Sequence, residues 1–320
     1  MAQMFDTPRF ALSSRLPLTG AAGVALSFPS DTIAFAIGDI HGHATGLSHA
    51  LNGIRRIGAP GKRRVLVLTG DLIDRGPQSL DVLRLAANAR TLCGFDAVHW
   101  TPGNHDLLML DALESMAAGG DGGRAGEIWM RNGGIITLQS FLGDDWTRVA
   151  QNPQAIAAAI DAVLPAWNGA PLREALRTQP SHVRIGDVVF VHAGLDRCSG
   201  MPFEAALALP QQAHLSKDRP SFSAPSDNER HWAWIRDGFL HEPGSVDVDG
   251  RPVLVVHGHT IAKGADIGWL HAPDTDLVAG LDARDAHGRV CIDGGAARAA
   301  LVAGCAITSN GIRIFASPAA

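Results

Sequence analysis

Five short apolar runs punctuate the chain: IAFAI from Ile33, VLVL from Val65, AVHW from Ala97, VVFV from Val188 and VLVV from Val253. Each has the composition and length of a buried strand. Each runs straight into a polar turn, in the order GDIHG, TGDLIDRG, TPGNHD, HAG and HGHT. The first three runs begin about 30 residues apart, the length of a strand–helix–strand unit. Between them the apolar positions take a helical period. Gly76-Pro77 predicts a helix start with Pro in the first turn, followed by a stripe of Leu80, Leu83 and Ala87. NPQAIAAAIDAVL predicts a helix capped by Asn152 with Pro153 at its first position. Near the end, CAITSNGIRIF sets Asn310-Gly311 between alternating apolar positions, a hairpin signal. The pattern therefore predicts an α/β chain with an antiparallel, β-rich end. There is no repeat or low-complexity linker, although SKDRPSFSAPSDNER (216–230) reads as a loop. We read residues 1–30 as an N-terminal arm and 31–320 as one domain.

Composition narrows the class. With 320 residues the chain can bury a large core. A net charge of -5 excludes a protein that coats nucleic acid, since no basic excess is available to neutralise phosphates. Cys93, Cys198, Cys291 and Cys305 are dispersed without a CxxC pair, so zinc-ribbon and thioredoxin-type readings fail and reduced thiols are expected. The absence of tyrosine removes every mechanism that needs a Tyr nucleophile or acid. No apolar run has transmembrane length, and MAQMFDTPRFALSSRLPLTG lacks the pattern of a secretory signal. A cytoplasmic protein without a membrane partner is expected.

The turns carry the chemistry. TPGNHDLLML has a local explanation, with Gly103 making a turn, Asn104 capping a helix and His105 and Asp106 solvated in its first turn. The other turns argue for more. They present Asp39 and His41, then Asp71, Asp74 and Arg75, then Asn104, His105 and Asp106, then His192, then His257 and His259. In open α/β sheets, ligands bind beyond the carboxyl ends of strands, so five turns would deliver these groups to one crevice. Such oxygen and nitrogen donors suit divalent transition metals rather than calcium. Two metals need a shared carboxylate, for which Asp71 is the central candidate, and a pair about 3.5–4 Å apart can clamp a hydroxide and a phosphoryl group. Arg75 is adjacent and could neutralise the equatorial phosphoryl oxygens.

In this order, GDIHG, GDLIDRG, GNHD, HAG and GHT resemble the calcineurin-like metallophosphoesterases. The likeness is greatest to the phosphoprotein-phosphatase branch, which includes bacterial and lambda-type serine/threonine phosphatases and symmetrical diadenosine tetraphosphatase. It runs from Ile33 to Phe315 and takes in IWMRNGG at Ile128–Gly134, HWAWIRDGF at His231–Phe239 and RVCIDGGA at Arg289–Ala296. The resemblance implies a four-layer α/β/β/α sandwich with a dimetal site at the carboxyl ends of the strands. It implies that Asp39, His41 and Asp71 hold one metal, and that Asp71, Asn104, His192 and His259 hold the other. His105 would be the general acid, oriented by Asp74, and Arg75 and Arg236 would bind phosphate. The cofactors would be two divalent ions, manganese first, with iron or zinc as alternatives.

The implied activity is hydrolysis of phosphate monoesters by in-line attack of a metal-bridging hydroxide, with a phosphoserine or phosphothreonine protein as the substrate. A symmetrical dinucleoside polyphosphate hydrolase is the alternative. A binding module that keeps the fold without catalysis is a further one, against which the full donor set counts. The chain departs from the branch at Pro102, where lambda-type enzymes often carry Arg, and at Asp106, where many members carry Glu. Ile261 stands at the last position of the GHxH signature, which disfavours a cyclic phosphodiesterase and leaves a water-filled coordination position on the first metal. His257 reads as a packing residue, His43, His49 and His99 as structural, and Asn132 as a turn or substrate-side residue. The segment 261–291 would form a lid or wall beside the substrate.

Overall fold

A computed structural model describes residues 10–143, 146, 152–196, 203–208, 230–241, 245–246, 250–261 and 288–318. In chain order the strands of the first half are β1 (Ala11–Leu12), β2 (Thr32–Ile37), β3 (Arg63–Leu68), β4 (Ala97–Trp100), β5 (Ala166–Trp167) and β6 (Ala170–Pro171). Those of the second half are β7 (His182–Ile185), β8 (Val188–Val191), β9 (Ser245–Val246), β10 (Pro252–His257), β11 (Arg289–Cys291), β12 (Leu301–Thr308) and β13 (Gly311–Pro318). The principal helices are α1 (Ala44–Arg56), α2 (Ser79–Cys93), α3 (Asn104–Ala117), α4 (Gly123–Trp129), α5 (Ile135–Leu142) and α6 (Pro153–Val163).

Among the described residues the strands form two main sheets. One has the order β1-β13-β12-β2-β3-β4, and the other β11-β10-β8-β7 with β9 on β10. In the first, β2, β3 and β4 are parallel, while β12 joins β2 antiparallel. In the second, β8, β10 and β11 are parallel.

The period-two alternation of the strands explains why the sheets stack. Ile33, Phe35 and Ile37 of β2 and Leu66 and Leu68 of β3 face one core with α1, α2 and α3. Their neighbours Ala34, Ala36, Val65 and Val67 face a second core against Val188, Phe190, Leu254 and Val256 of the other sheet. Small residues on β2 let the two sheets approach closely. The far side of the second sheet, Val189, Val191, Val253 and Val255, packs on Trp232, Ile235 and Phe239. Every core strand is thus apolar on both faces, as its uninterrupted run requires.

Local departures from the sequence pattern have visible causes. The second helix starts at Ser79, with Gln78 as its cap, so Pro77 lies outside it. The Gly76 and Gln78 N–H groups donate instead to the carbonyls of His41 and Gly42, binding this loop to the GDIHG turn. The C-terminal hairpin turns at Ser309-Asn310, and Gly311 opens β13 opposite Thr308. A Cβ at Gly311 would overlap the Leu16 carbonyl. The Asn152 cap is as expected, accepting from the Gln154 and Ala155 N–H groups at 3.0 and 3.3 Å.

Within the arm, β1 pairs with β13 and Phe10 stacks on Phe315 at 5.4 Å. Cys198, Trp269, residues 216–229 of the loop-like stretch and residues 262–287 of the expected lid lie outside the described residues. No helix among the described residues is long and apolar enough to cross a membrane.

Candidate dimetal site

The turns after β2, β3, β4, β8 and β10 meet where the carboxyl ends of the two sheets adjoin. They are stitched to one another through their backbones. Ile40 and His41 donate N–H groups to the Asp71 carbonyl at 3.0 and 2.9 Å, and Gly258 donates to the His192 carbonyl at 2.7 Å. Seven non-glycine residues have positive φ among the described residues, and five of them are here: His41, Asp71, Asp74, Arg75 and His259. Each such conformation costs on the order of 1–3 kcal/mol, and a site that retains five of them is over-determined by its surroundings.

All six predicted ligand residues are brought together and buried: Asp39, His41, Asp71, Asn104, His192 and His259 are at most 9% exposed. Asp71 is central. Its Oδ1 accepts the His105 N–H at 3.0 Å. Its Oδ2 lies 3.6 Å from His41 Nε2 and 3.5 Å from His192 Nε2. One carboxylate oxygen therefore stands between two imidazoles, the arrangement that a shared ligand needs. Asn104 Oδ1 is 3.1 Å from His192 Nε2 on the same side. Asp39 Oδ2 is 3.9 Å from His41 Nε2 on the other. Both Asp39 oxygens accept the His259 N–H, at 3.0 and 3.2 Å.

Each imidazole has one nitrogen beside a backbone carbonyl: His41 Nδ1 with Ile73 at 3.0 Å, His192 Nδ1 with Thr69 at 2.7 Å, and His259 Nε2 with Trp234 at 3.1 Å. Such a partner fixes the tautomer and aims the other nitrogen, as metal sites do. Among the described residues, ligand-capable atoms within 4.8 Å of one another form two trios, His41–Asp71–His105 and Asp71–His192–His259, and Asp71 belongs to both.

His105 is in the first trio by position, but its chemistry differs from the other imidazoles. Its Nδ1 meets Asp74 Oδ2 at 2.6 Å. Burial alone would lower its pKa, but the Asp71 charge and the Asp74 hydrogen bond outweigh this and raise it, which favours a proton carrier. His41 goes the other way, pushed down to about 3 by burial first and by His105 second. Burial likewise lowers His192, and lowers His259 far. Asp71 is held below the usual carboxyl range because His192, His105 and His41 outweigh its burial. Asp39 is raised well above that range by burial, Asp293 and Asp71. Neutral imidazoles converging on an ionised, shared carboxylate form a donor set that fits a pair of divalent cations.

The two arginines stand exposed at the rim. Arg75 donates to Asn132 Oδ1 at 3.0 Å. Arg236 approaches the His259 carbonyl at 3.5 Å and Thr260 Oγ1 at 3.4 Å. His257 packs edge-on against Phe239, with ring centroids 5.1 Å apart, in line with a packing residue. His49 Nδ1 meets the Pro318 carbonyl at 3.3 Å, at the sheet rather than at the site.

Sequence reasoning passed over several residues. Gly103, not Asn104, is the N-cap of α3, which leaves the Asn104 amide to the site. The Gly103 N–H donates to Asp106 Oδ2 at 2.9 Å, so Asp106 caps from inside the helix, and a carboxylate three residues after a turn glycine was a readable sign of it. Burial and Asp71 push Asp106 up to about 7. Asp293, from the IDGG turn, is buried beside this group and raised to about 6, by burial first and Asp71 next.

Known proteins resemble the chain in sequence and in fold. The family model described as "Calcineurin-like phosphoesterase" matches residues 34–283. The chain is 41% identical over 82 residues to a symmetrical bis(5'-nucleosyl)-tetraphosphatase of Buchnera aphidicola, covering 26% of this chain and 27% of that protein. It is 37% identical over 100 residues to serine/threonine-protein phosphatase 2 of Escherichia coli K12, covering 31% and 38%. These matches thus span between about a quarter and two fifths of the relatives' length. A cold-active protein tyrosine phosphatase variant superposes at a TM-score of 0.50 with 15% identity, covering 90% of this chain and 80% of that one, a likeness of fold alone. With most of its length matched by the family model, the chain belongs to the calcineurin-like phosphoesterase family of hydrolases.

Proposed function

We propose that the protein is a dimetal phosphoric ester hydrolase that acts on phosphoserine or phosphothreonine in proteins. The observation that carries this reading is Asp71 Oδ2, 3.6 Å from His41 and 3.5 Å from His192. Asp39, His41 and Asp71 would hold one cation, and Asp71, Asn104, His192 and His259 the other. Manganese is the first choice, since carboxylate, amide and imidazole donors suit it, with iron and zinc as alternatives. When bound, such a pair lowers the pKa of water and neutralises phosphoryl charge.

The chain's own residues supply the rest. Arg75 and Arg236 bind and orient the phosphoryl oxygens from the rim. Water gives up a proton to solvent and attacks phosphorus opposite the ester oxygen, and the phosphorus–ester oxygen bond breaks. The departing oxygen takes the electron pair of that bond and a proton from His105 Nε2. Asp74, on His105 Nδ1, holds the ring so that this nitrogen faces the substrate. The products are an alcohol and inorganic phosphate.

A second reading, symmetrical cleavage of a dinucleoside polyphosphate, is favoured by the 41% identity to a tetraphosphatase of that kind. Described cysteines that are all free support a cytoplasmic setting. The test is a parallel assay of the manganese-loaded protein on a phosphoserine peptide and on diadenosine tetraphosphate, with products identified. Phosphate release from the peptide alone supports the first reading, and two ADP from the dinucleotide the second. No turnover of either by protein carrying two metals would overturn both.

A further inference from the structure

Asp74 is wholly buried, and its carboxylate is filled from three separate places. Thr137 Oγ1 donates to Oδ1 at 2.6 Å, and Trp129 Nε1 donates to the same oxygen at 2.9 Å. Oδ2 meets His105 Nδ1 at 2.6 Å. The backbone is gripped as well, since the Asp74 N–H donates to Thr137 Oγ1 at 3.0 Å and to Ser79 Oγ at 3.2 Å. Ser79 Oγ is 3.2 Å from Thr137 Oγ1. A hydroxyl has one proton to give and two lone pairs to fill, so Thr137 is saturated by Asp74 and Ser79. One threonine therefore clasps both ends of a residue held at φ 70°.

Trp129 and Thr137 flank a kinked turn, Met130–Gly134, between α4 and α5, in which Gly133 leaves the helical region. That turn meets the next residue, Arg75. Asn132 Oδ1 accepts from Arg75 Nη2 at 3.0 Å, while Asn132 Nδ2 donates back to the Ile128 carbonyl at 2.8 Å. Gly133 has φ 118°, and a Cβ there would stand 2.7 Å from the Arg75 nitrogen. Both neighbours of the Asp74–Arg75 peptide are thus held by one nine-residue stretch.

We propose that residues 129–137 form a positioning clamp for the reaction. Thr137 and Trp129 occupy Asp74 Oδ1 so that Oδ2 is committed to His105, and Asn132 sets the Arg75 guanidinium against the phosphoryl group. This rests on His105 as the proton donor and Arg75 as a phosphate ligand. Thr137 and Trp129 act through Asp74, and Asn132 through Arg75.

The leaving group separates this role from general support of the fold. An alkyl phosphate needs the proton from His105, whereas p-nitrophenyl phosphate departs without it. The experiment measures kcat and KM on both esters for Thr137→Val, Thr137→Ser, Trp129→Phe and Asn132→Ala, with His105→Asn as reference and bound metal quantified throughout. Thr137→Val and Trp129→Phe should lower kcat on the alkyl ester at least ~10-fold more than on the aryl ester, a fraction of what general acid catalysis supplies. Thr137→Ser should restore the wild-type ratio. Asn132→Ala should raise KM for both esters alike and leave the ratio unchanged.

Equal losses on both esters in Thr137→Val and Trp129→Phe, beside a selective loss in His105→Asn, would overturn the clamp and leave the acid assignment standing. No selectivity in His105→Asn would remove the acid assignment, and the clamp with it. Should Thr137→Val not fold, Trp129→Phe and the half-buried Asn132→Ala decide the question.

Discussion

Asp106 accepts the Asp71 N–H at 2.9 Å across 35 positions of sequence. The same carboxylate accepts from Leu72 N at 3.2 Å, Gly103 N at 2.9 Å and Trp100 Nε1 at 3.3 Å. One fully buried side chain therefore ties the turn after β3 to the turn after β4. Asp106→Ala strands four buried donors, and each unpaired group costs about 1–3 kcal/mol, with part of that recovered by water in the space left behind. The expected loss is about 4 kcal/mol in denaturant unfolding of the metal-free protein. A midpoint within about 0.5 kcal/mol of wild type, the range of ordinary surface changes, would refute the tie.

Asp71→Asn removes charge from the one carboxylate shared by both trios. Its amide nitrogen would also present protons to imidazole nitrogens that should face a cation. Even outer partners of metal ligands are worth 10–100-fold in affinity or activity, so the expected loss of turnover exceeds about 100-fold. Metal analysis after dialysis should find fewer than two ions per chain, whereas His105→Asn keeps both. Full metal content in Asp71→Asn would remove the bridging role.

Metal uptake should couple weakly to pH through the imidazoles and more strongly through a carboxyl. His41, lowered to about 3, and His192 and His259, also lowered, are neutral at pH 7 and have no proton to lose. Asp39, raised well above its ordinary range, binds metal only as the carboxylate. Binding that releases a proton is favoured as pH rises, so affinity should fall as pH drops through the range in which Asp39 is protonated. Calorimetric titration of manganese at pH 7, in buffers of different ionisation enthalpy, should give a release of about one proton or less. Release of two or more would mean either that the ligand imidazoles are charged in the metal-free site or that His105 and Asp106, both raised beside Asp71, lose protons together with Asp39.

Much of this site is legible in the sequence because strand geometry does the aiming. Asp39, His41, Asp71, Asn104, His192 and His259 each follow an apolar run directly, and a strand end is a place that a pattern of two can find. The pattern does not say which sheet a run joins. β2 to β4 and β8 to β10 belong to different sheets, a fact set by packing of Ala34 and Ala36 on Phe190 and Val256. Nor does it reveal Thr137 or Trp129, whose helices carry no sign of the contacts that they make with Asp74 at 63 and 55 positions' distance. Nor does it show that Asp106 is buried, since that burial comes from a turn 35 residues away.

Two glycines distinguish the halves of the site. Neither Gly103 nor Gly258 has a positive φ, so alanine suits both backbones and only space is at issue. A Cβ at Gly258 would overlap Asp39 Oδ1, and one at Gly103 would overlap Asp71 Oδ1. Gly258→Ala must turn the Asp39 carboxylate away from the His259 N–H, which removes a ligand beside His41 and frees only the backbone N–H of His259, whose ring the Trp234 carbonyl still holds. Gly103→Ala must displace the shared carboxylate itself, which faces His41 on one side and His192 on the other. Equilibrium dialysis against manganese should therefore leave about one ion on Gly258→Ala and less than one on Gly103→Ala, because loss of a ligand weakens only the cations that it touches. Equal depletion in the two variants would mean that Asp39 and Asp71 serve a single cation, and the two-sided reading of Asp71 would fall with it.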